Sequence, residues 1–179
     1  LLLENKGLRN ETSLRQNLEL FVSLLTIKER RPKNYNAKFG RYVTQLCDRL
    51  SMPAHDKALV LNAAYLYDRA KSYFISAEPR DFSSLIALAT RLLQAMYYEP
   101  AVVEILRCMH INLRHKTDGS ISFEVMAGNI LTVVDIFCDT VPSNRRITLD
   151  RFEAIKTKFM TMIGTRLLES VVGAFYSLV

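Results

Sequence analysis

One stretch of the chain reads VMAGNILTVVDIF and runs from residue 125 to residue 137. Its large apolar side chains recur at the three- and four-residue spacing that places them on one face of an α-helix. This apolar stripe consists of Val125, Met126, Ile130, Val133, Val134 and Phe137. Asp135 is the only charged residue in the whole stretch. The stretch therefore predicts a helix with an apolar face and a single carboxylate.

The same spacing recurs along most of the chain, and prolines lie between the apolar segments, as expected of residues that interrupt helices. Seven further segments show it: residues 14–25, 39–50, 59–70, 85–96, 102–109, 152–159 and 163–178. No segment alternates as a strand would. We expect an all-α fold, a compact bundle of about seven to nine helices in a single domain spanning residues 1–179. Residues 1–30 would form an N-terminal helix leading into it, and methionines on the stripes, such as Met109 and Met160, would fill the core.

The composition excludes several classes of protein. With 179 residues, 49% hydrophobic residues, 6 Gly and 5 Pro, the chain is neither disordered nor collagen-like, and it lacks the turns of an all-β sandwich. No apolar run reaches the roughly 18 residues of a membrane span. We expect a cytoplasmic protein with three buried, reduced cysteines, Cys47, Cys108 and Cys138. Because the chain lacks an initiator Met, we also expect it to be a fragment of a longer protein.

The net charge of +6 raises the question of a polyanionic partner. Residues 1–50 carry 10 basic and 5 acidic side chains, and the basic density peaks between Lys28 and Arg41. Apart from Tyr35 and Phe39, this segment has no aromatic residues that could stack on bases. We therefore interpret it as a solvated basic turn and expect no nucleic-acid partner.

A second informative stretch reads AYLYDRAK and covers residues 64–71. It places Asp68 and Lys71 three residues apart at the polar end of an otherwise apolar helix, where they would be neighbours. From this chemistry alone we would interpret the stretch as a solvated helix end.

The same stretch is similar to the LLHDIGK motif of HD-domain phosphohydrolases, specifically of the HD-GYP class. Three more segments follow the order of that family. Residues 39–50 look like the helix that carries the family's first histidine, Asp118-Gly119-Ser120 resembles its DGSG segment, and residues 128–137 resemble its RILAVADVF helix. The resemblance covers roughly residues 15–179.

The resemblance implies a cluster of His and Asp ligands that holds iron, manganese or related ions, which activate a water to attack a phosphodiester such as cyclic di-GMP. Most of the matching positions have lost their ligand. No histidine occurs near Tyr35–Ala37, and Tyr67 replaces the histidine of the HD pair. The vestigial metal candidates are Asp68, His110 and Asp135. Two carboxylates and at most one imidazole cannot build a binuclear centre, and a phenol such as Tyr67 is a poor ligand at neutral pH, so we assign no catalytic residue.

We therefore expect a catalytically inactive, HD-GYP-like regulatory or interaction module of a bacterial signalling protein. Asp68 and Asp135 would form a buried polar pair satisfied by Lys71, Arg114 or Tyr67. No cofactor is expected.

Two alternatives remain open. In the first, Asp68, His110 and Asp135 hold iron or manganese in a working phosphohydrolase. In the second, Lys71, Arg145 and Arg146 bind the phosphates of a cyclic dinucleotide, and the domain is a sensor. Expected protein partners are other domains of the same signalling protein and a second copy of the chain, which would contact an apolar final helix, Ile163 to Val179.

Overall fold

The computed structural model describes residues 35–75, 99–109, 111–113, 121–141 and 147–179. Six α-helices make up this part of the chain: α1 (Tyr35–Arg49), α2 (Ala54–Ile75), α3 (Pro100–Cys108), α4 (Phe123–Thr140), α5 (Leu149–Met162) and α6 (Glu169–Tyr176). These ranges contain no strand, and the all-α prediction is confirmed. The predicted total of seven to nine helices is not tested, because residues 1–30 and segment 85–96 lie outside the described residues.

Helix α4 is the centre of the described bundle. It packs against each of the other five helices. Every residue from 127 to 134 is buried, so this part of the helix is enclosed on all sides. The stretch at residues 125–137 forms a helix, as predicted, and the other five described helices pack around it.

Helices α3 and α4 approach each other closely at Gly128. A Cβ atom at this position would lie 2.8 Å from the carbonyl carbon of Cys108 and from the carbonyl oxygen of Ile105. One turn later, the Thr132 hydroxyl donates a hydrogen bond of 2.8 Å to the Met109 carbonyl. The absence of a side chain at Gly128 thus allows this contact.

Lys38 joins α1 to the end of α4. Its Nζ donates a 2.7 Å hydrogen bond to the carbonyl of Val141, just after the last residue of α4. The same Nζ lies 4.6 Å from the centre of the Phe137 ring. A cation at the C-terminus of a helix stabilises the partial negative charge there.

The final helix is shorter than the sequence predicts. We expected it to begin at Ile163, but α6 begins at Glu169. Gly164 has a φ of +74°, which no continuous right-handed helix can accommodate. The apolar spacing continues across this turn although the helix does not.

The turn between α5 and α6 is fixed by Asn129 of α4. Its Nδ2 donates to the Arg166 carbonyl at 2.9 Å, and its Oδ1 accepts from the Leu168 amide at 2.8 Å. The Asn129 side chain is fully buried, so both bonds satisfy groups that water does not reach.

Two expectations about apolar side chains are wrong. The apolar residues of α6, Val171, Val172 and Phe175, are buried in the core and are not available to a second copy of the chain. Met160 is 62% exposed, whereas Met109 is buried as predicted. Helical spacing alone does not distinguish a stripe that faces the core from one that faces solvent.

Cys47, Cys108 and Cys138 form no disulfide bond and are buried, as predicted. Burial raises the pKa of Cys47 to about 11 and that of Cys138 to about 12. No helix in the described ranges combines the length and the apolar character that a membrane crossing requires.

Candidate functional site

Four polar side chains from α2 and α4 meet inside the bundle. Tyr67 and Lys71 are four residues apart on α2, and Asp135 and Asp139 are four residues apart on α4. This spacing puts each pair on one face of its helix, and the two helices pack against each other. We call these four residues the Lys71 cluster.

The Lys71 ammonium lies between the two carboxylates. Its Nζ is 2.5 Å from Oδ1 of Asp135 and 2.6 Å from Oδ2 of Asp139. The Tyr67 hydroxyl donates a 2.7 Å hydrogen bond to the other oxygen of Asp135. Both oxygens of Asp135 therefore accept a hydrogen bond from α2.

The cluster is buried at one end and open at the other. The Lys71 side chain is 5% exposed and that of Asp135 is 13% exposed, whereas the Asp139 side chain is 50% exposed. Asp135 and Lys71 thus form a buried ion pair, and Asp139 connects it to solvent.

Burial raises the pKa of the Asp135 carboxyl above its ordinary value. The positive charge of Lys71 acts in the opposite direction, and the negative charge of Asp139 adds to the rise. The hydrogen bonds from Lys71 and Tyr67 favour the charged form. Lys71 and Tyr67 thus stabilise the charged form of a carboxyl whose pKa is raised by burial.

The structure places only part of the site that the sequence predicted. It brings Lys71 and Asp135 together, with Tyr67 as a further partner. Asp68 is buried on α2, beside Tyr67 in the chain. The interpretation of this stretch as a solvated helix end is wrong, because Asp68 and Lys71 are both at most 5% exposed. Four residues proposed from the sequence lie outside the described ranges: His110, Arg114, Arg145 and Arg146.

Asp139 is a member of the cluster that sequence reasoning missed. The signal was present, since Asp139 follows Asp135 by four residues on a predicted helix and so shares its face. Asp139 lies beyond residues 128–137, the segment that resembles the family's helix. Its contact with Lys71 shows that the lysine has two carboxylates of α4 as partners.

The cluster does not fit a binuclear iron or manganese centre. Such a centre needs several imidazole and carboxylate ligands that converge on the same point. Among the residues that the structure describes, no group of three or more His, Cys, Asp or Glu side chains could hold a metal ion. A divalent cation at Asp135 would also lie beside the Lys71 ammonium and be repelled by it.

Comparisons of the chain with protein-family models, with curated proteins and with solved structures find no match. The likeness to the HD-GYP class therefore rests on the order and spacing of the sequence motifs.

Proposed function

We propose that this chain is a catalytically inactive, HD-GYP-like helical module with a regulatory or interaction role in a bacterial signalling protein. The observation that carries the proposal is the Lys71 ammonium, bound between Asp135 and Asp139. Asp135 is the aspartate that, by resemblance, an active relative would use toward a metal.

In the Lys71 cluster, the protein supplies its own cation. A metal phosphohydrolase uses divalent charge to lower the pKa of a bound water and to polarise a phosphate. An ammonium has a single charge and no open coordination position, so it can neutralise a buried carboxylate but cannot activate a water in this way. The geometry therefore favours a structural role for Asp135.

The same geometry disfavours phosphate binding by Lys71. Its side chain is buried and its charge is directed at two carboxylates. A phosphodiester approaching through the open end would first meet Asp139, whose negative charge repels it. This supports the interaction role over the nucleotide-sensing role at this cluster.

The direct test is an activity assay on the full chain. We would incubate it with cyclic di-GMP and added Mn²⁺ or Fe²⁺ and follow the linear and mononucleotide products by chromatography. We expect no product above the protein-free control. Product formation that is lost in Asp135→Asn and retained in Asp139→Asn would contradict the proposal and support the phosphohydrolase alternative.

Calorimetry with cyclic di-GMP addresses the sensor alternative. We expect no heat of binding up to high micromolar ligand. Saturable binding that a double substitution, Arg145→Ala with Arg146→Ala, abolishes would contradict the proposal and favour a nucleotide sensor.

A further inference from the structure

The outward face of α5 carries a narrow stripe of four exposed residues: Leu149, Glu153, Lys156 and Met160. Their spacing of four, three and four residues places all of them on one side of the helix. We infer that this α5 stripe is a self-association surface, through which two copies of the chain pair antiparallel about a two-fold axis.

The α5 stripe is exposed along its whole length. Leu149 is 74% exposed and Met160 is 62% exposed, and both are among the large apolar side chains least covered by the rest of the chain. The side chains of Glu153 and Lys156 between them are 54% and 52% exposed. The buried face of α5 is a different one, formed by Ile155 and Phe159. The stripe therefore contributes nothing to the core.

The order of residues in the stripe is complementary to itself. Its midpoint falls between residues 154 and 155, halfway between Leu149 and Met160 and halfway between Glu153 and Lys156. When two such helices pair antiparallel about this midpoint, Leu149 lies opposite Met160 of the second copy. Glu153 and Lys156 form an exposed ion pair of 3.8 Å within one α5 helix, and in the antiparallel pairing Glu153 also lies opposite Lys156 of the second copy. A two-fold contact repeats each pair, which yields two apolar contacts flanking two ion pairs.

A shallow depression on the same face matches this arrangement. It has a volume of about 340 Å³ and is lined by Glu153, Lys156, Thr157, Met160 and Thr161. In the antiparallel pairing, Leu149 of the second copy reaches the Met160 end of this depression. Contact with Met160 removes the exposed leucine from water, which provides the driving force.

The contact is small, so the dimer is weak and depends on concentration. Helix α5 has 14 residues, which corresponds to a length of roughly 21 Å. That is short for an interface of standard size. Exposed ion pairs add little affinity and instead select partner and register. This inference is independent of the proposed function, since none of its residues belongs to the Lys71 cluster.

Charge substitutions in the stripe provide the test, measured by sedimentation velocity of the full chain from micromolar to millimolar concentration. We expect a reversible monomer–dimer equilibrium for the unchanged chain. Glu153→Lys places lysines opposite each other at both ion pairs, and Lys156→Glu does the same with glutamates. Each single variant should raise the dissociation constant at least about tenfold.

The self-complementary pattern makes two restoring experiments possible. An equimolar mixture of the Glu153→Lys and Lys156→Glu variants should form a heterodimer, because every lysine then faces a glutamate. The double variant should dimerise by itself as the unchanged chain does. Lys158→Glu, an exposed charge change on the opposite side of α5, is the matched control and should leave dimerisation unchanged.

Two outcomes would overturn the inference. One is an unchanged chain that stays monomeric at millimolar concentration, as it would if the stripe bound a different protein. The other is a dimer whose dissociation constant is unaffected by Glu153→Lys, which would place the interface elsewhere.

Discussion

Lys71 is a buried cation whose charge is used inside the protein. Transferring an ammonium or a carboxylate out of water costs several kcal/mol, and a close opposite charge offsets much of this cost. The Asp135 carboxylate offsets the cost of burying the Lys71 ammonium. The hydroxyl of Tyr67 donates a hydrogen bond to the second oxygen of Asp135. The pair is consequently more costly to break than to keep.

Lys71→Met keeps the aliphatic length of the side chain and removes its charge. Asp135 is then left buried without its cation, and we expect a loss of about 3–5 kcal/mol in the free energy of unfolding. Urea denaturation measures this loss. Asp139→Asn, at the half-exposed end of the cluster, is the control and should cost less than about 1 kcal/mol. Equal, small losses in both variants would show that the buried pair is unimportant.

The loss caused by Lys71→Met should depend on pH. Burial raises the pKa of Asp135 above 3.8, and removing Lys71 removes the largest influence that opposes this rise. A carboxyl whose pKa is higher in the folded than in the unfolded state takes up a proton on folding. The folded protein therefore gains stability as pH falls through the raised pKa. The deficit relative to the unchanged chain should therefore be smaller at about pH 5 than at about pH 8. A deficit that grows toward acid pH would contradict this reasoning.

The sequence predicts which polar residues lie near the core better than it predicts how they pair. The resemblance singled out Asp68, Lys71 and Asp135, and the structure buries Asp68 and Lys71 and leaves the Asp135 side chain 13% exposed. It did not predict Asp139, because the pairing of one lysine with two carboxylates depends on how α2 packs on α4. Contacts between residues more than sixty positions apart are not encoded in any local pattern.

At the scale of helices, the fold depends on how closely α3 can approach α4. Gly128→Ala places a methyl group 2.8 Å from backbone atoms of Cys108 and Ile105, and backbone cannot yield as a flexible side chain can. We expect a loss of about 1–3 kcal/mol and a lower Tm.

Gly173→Ala on α6 is the matched control for this substitution. A Cβ atom there meets nothing within 4 Å. Alanine is also the better helix former, so this variant should be neutral or gain about 0.5–1 kcal/mol. If both variants changed the Tm equally and in the same direction, the close approach at Gly128 would not be what limits the packing of α3 on α4.

Prolines mark the starts of two helices, as the sequence predicts. Pro100 begins α3, and α2 begins directly after Pro53. The start of α6 was predicted too early because the apolar spacing runs through Gly164. The spacing does not predict the exposure of Met160, because the described part of the bundle buries α5 only at Ile155 and Phe159.

For the molecule as a whole, the three thiols report on the integrity of the core. Cys47, Cys108 and Cys138 are buried, and burial raises the pKa of Cys47 to about 11 and that of Cys138 to about 12. Thiolates are the reactive form, so a thiol reagent at neutral pH should label these cysteines only after unfolding. Ellman's reagent with and without denaturant measures this. Labelling of the native chain within minutes would show that the core opens locally.

The metal content of the purified full chain tests most directly whether Lys71 has taken the place of a metal ion. We would purify the chain without chelators, dialyse it against excess Mn²⁺ or, without oxygen, Fe²⁺, remove the unbound metal, and count ions per chain by mass spectrometry. If the Lys71 ammonium neutralises Asp135, the chain should carry far less than one equivalent of either metal. One or more tightly held equivalents, lost in Asp135→Asn and kept in Asp139→Asn, would contradict this role for Lys71.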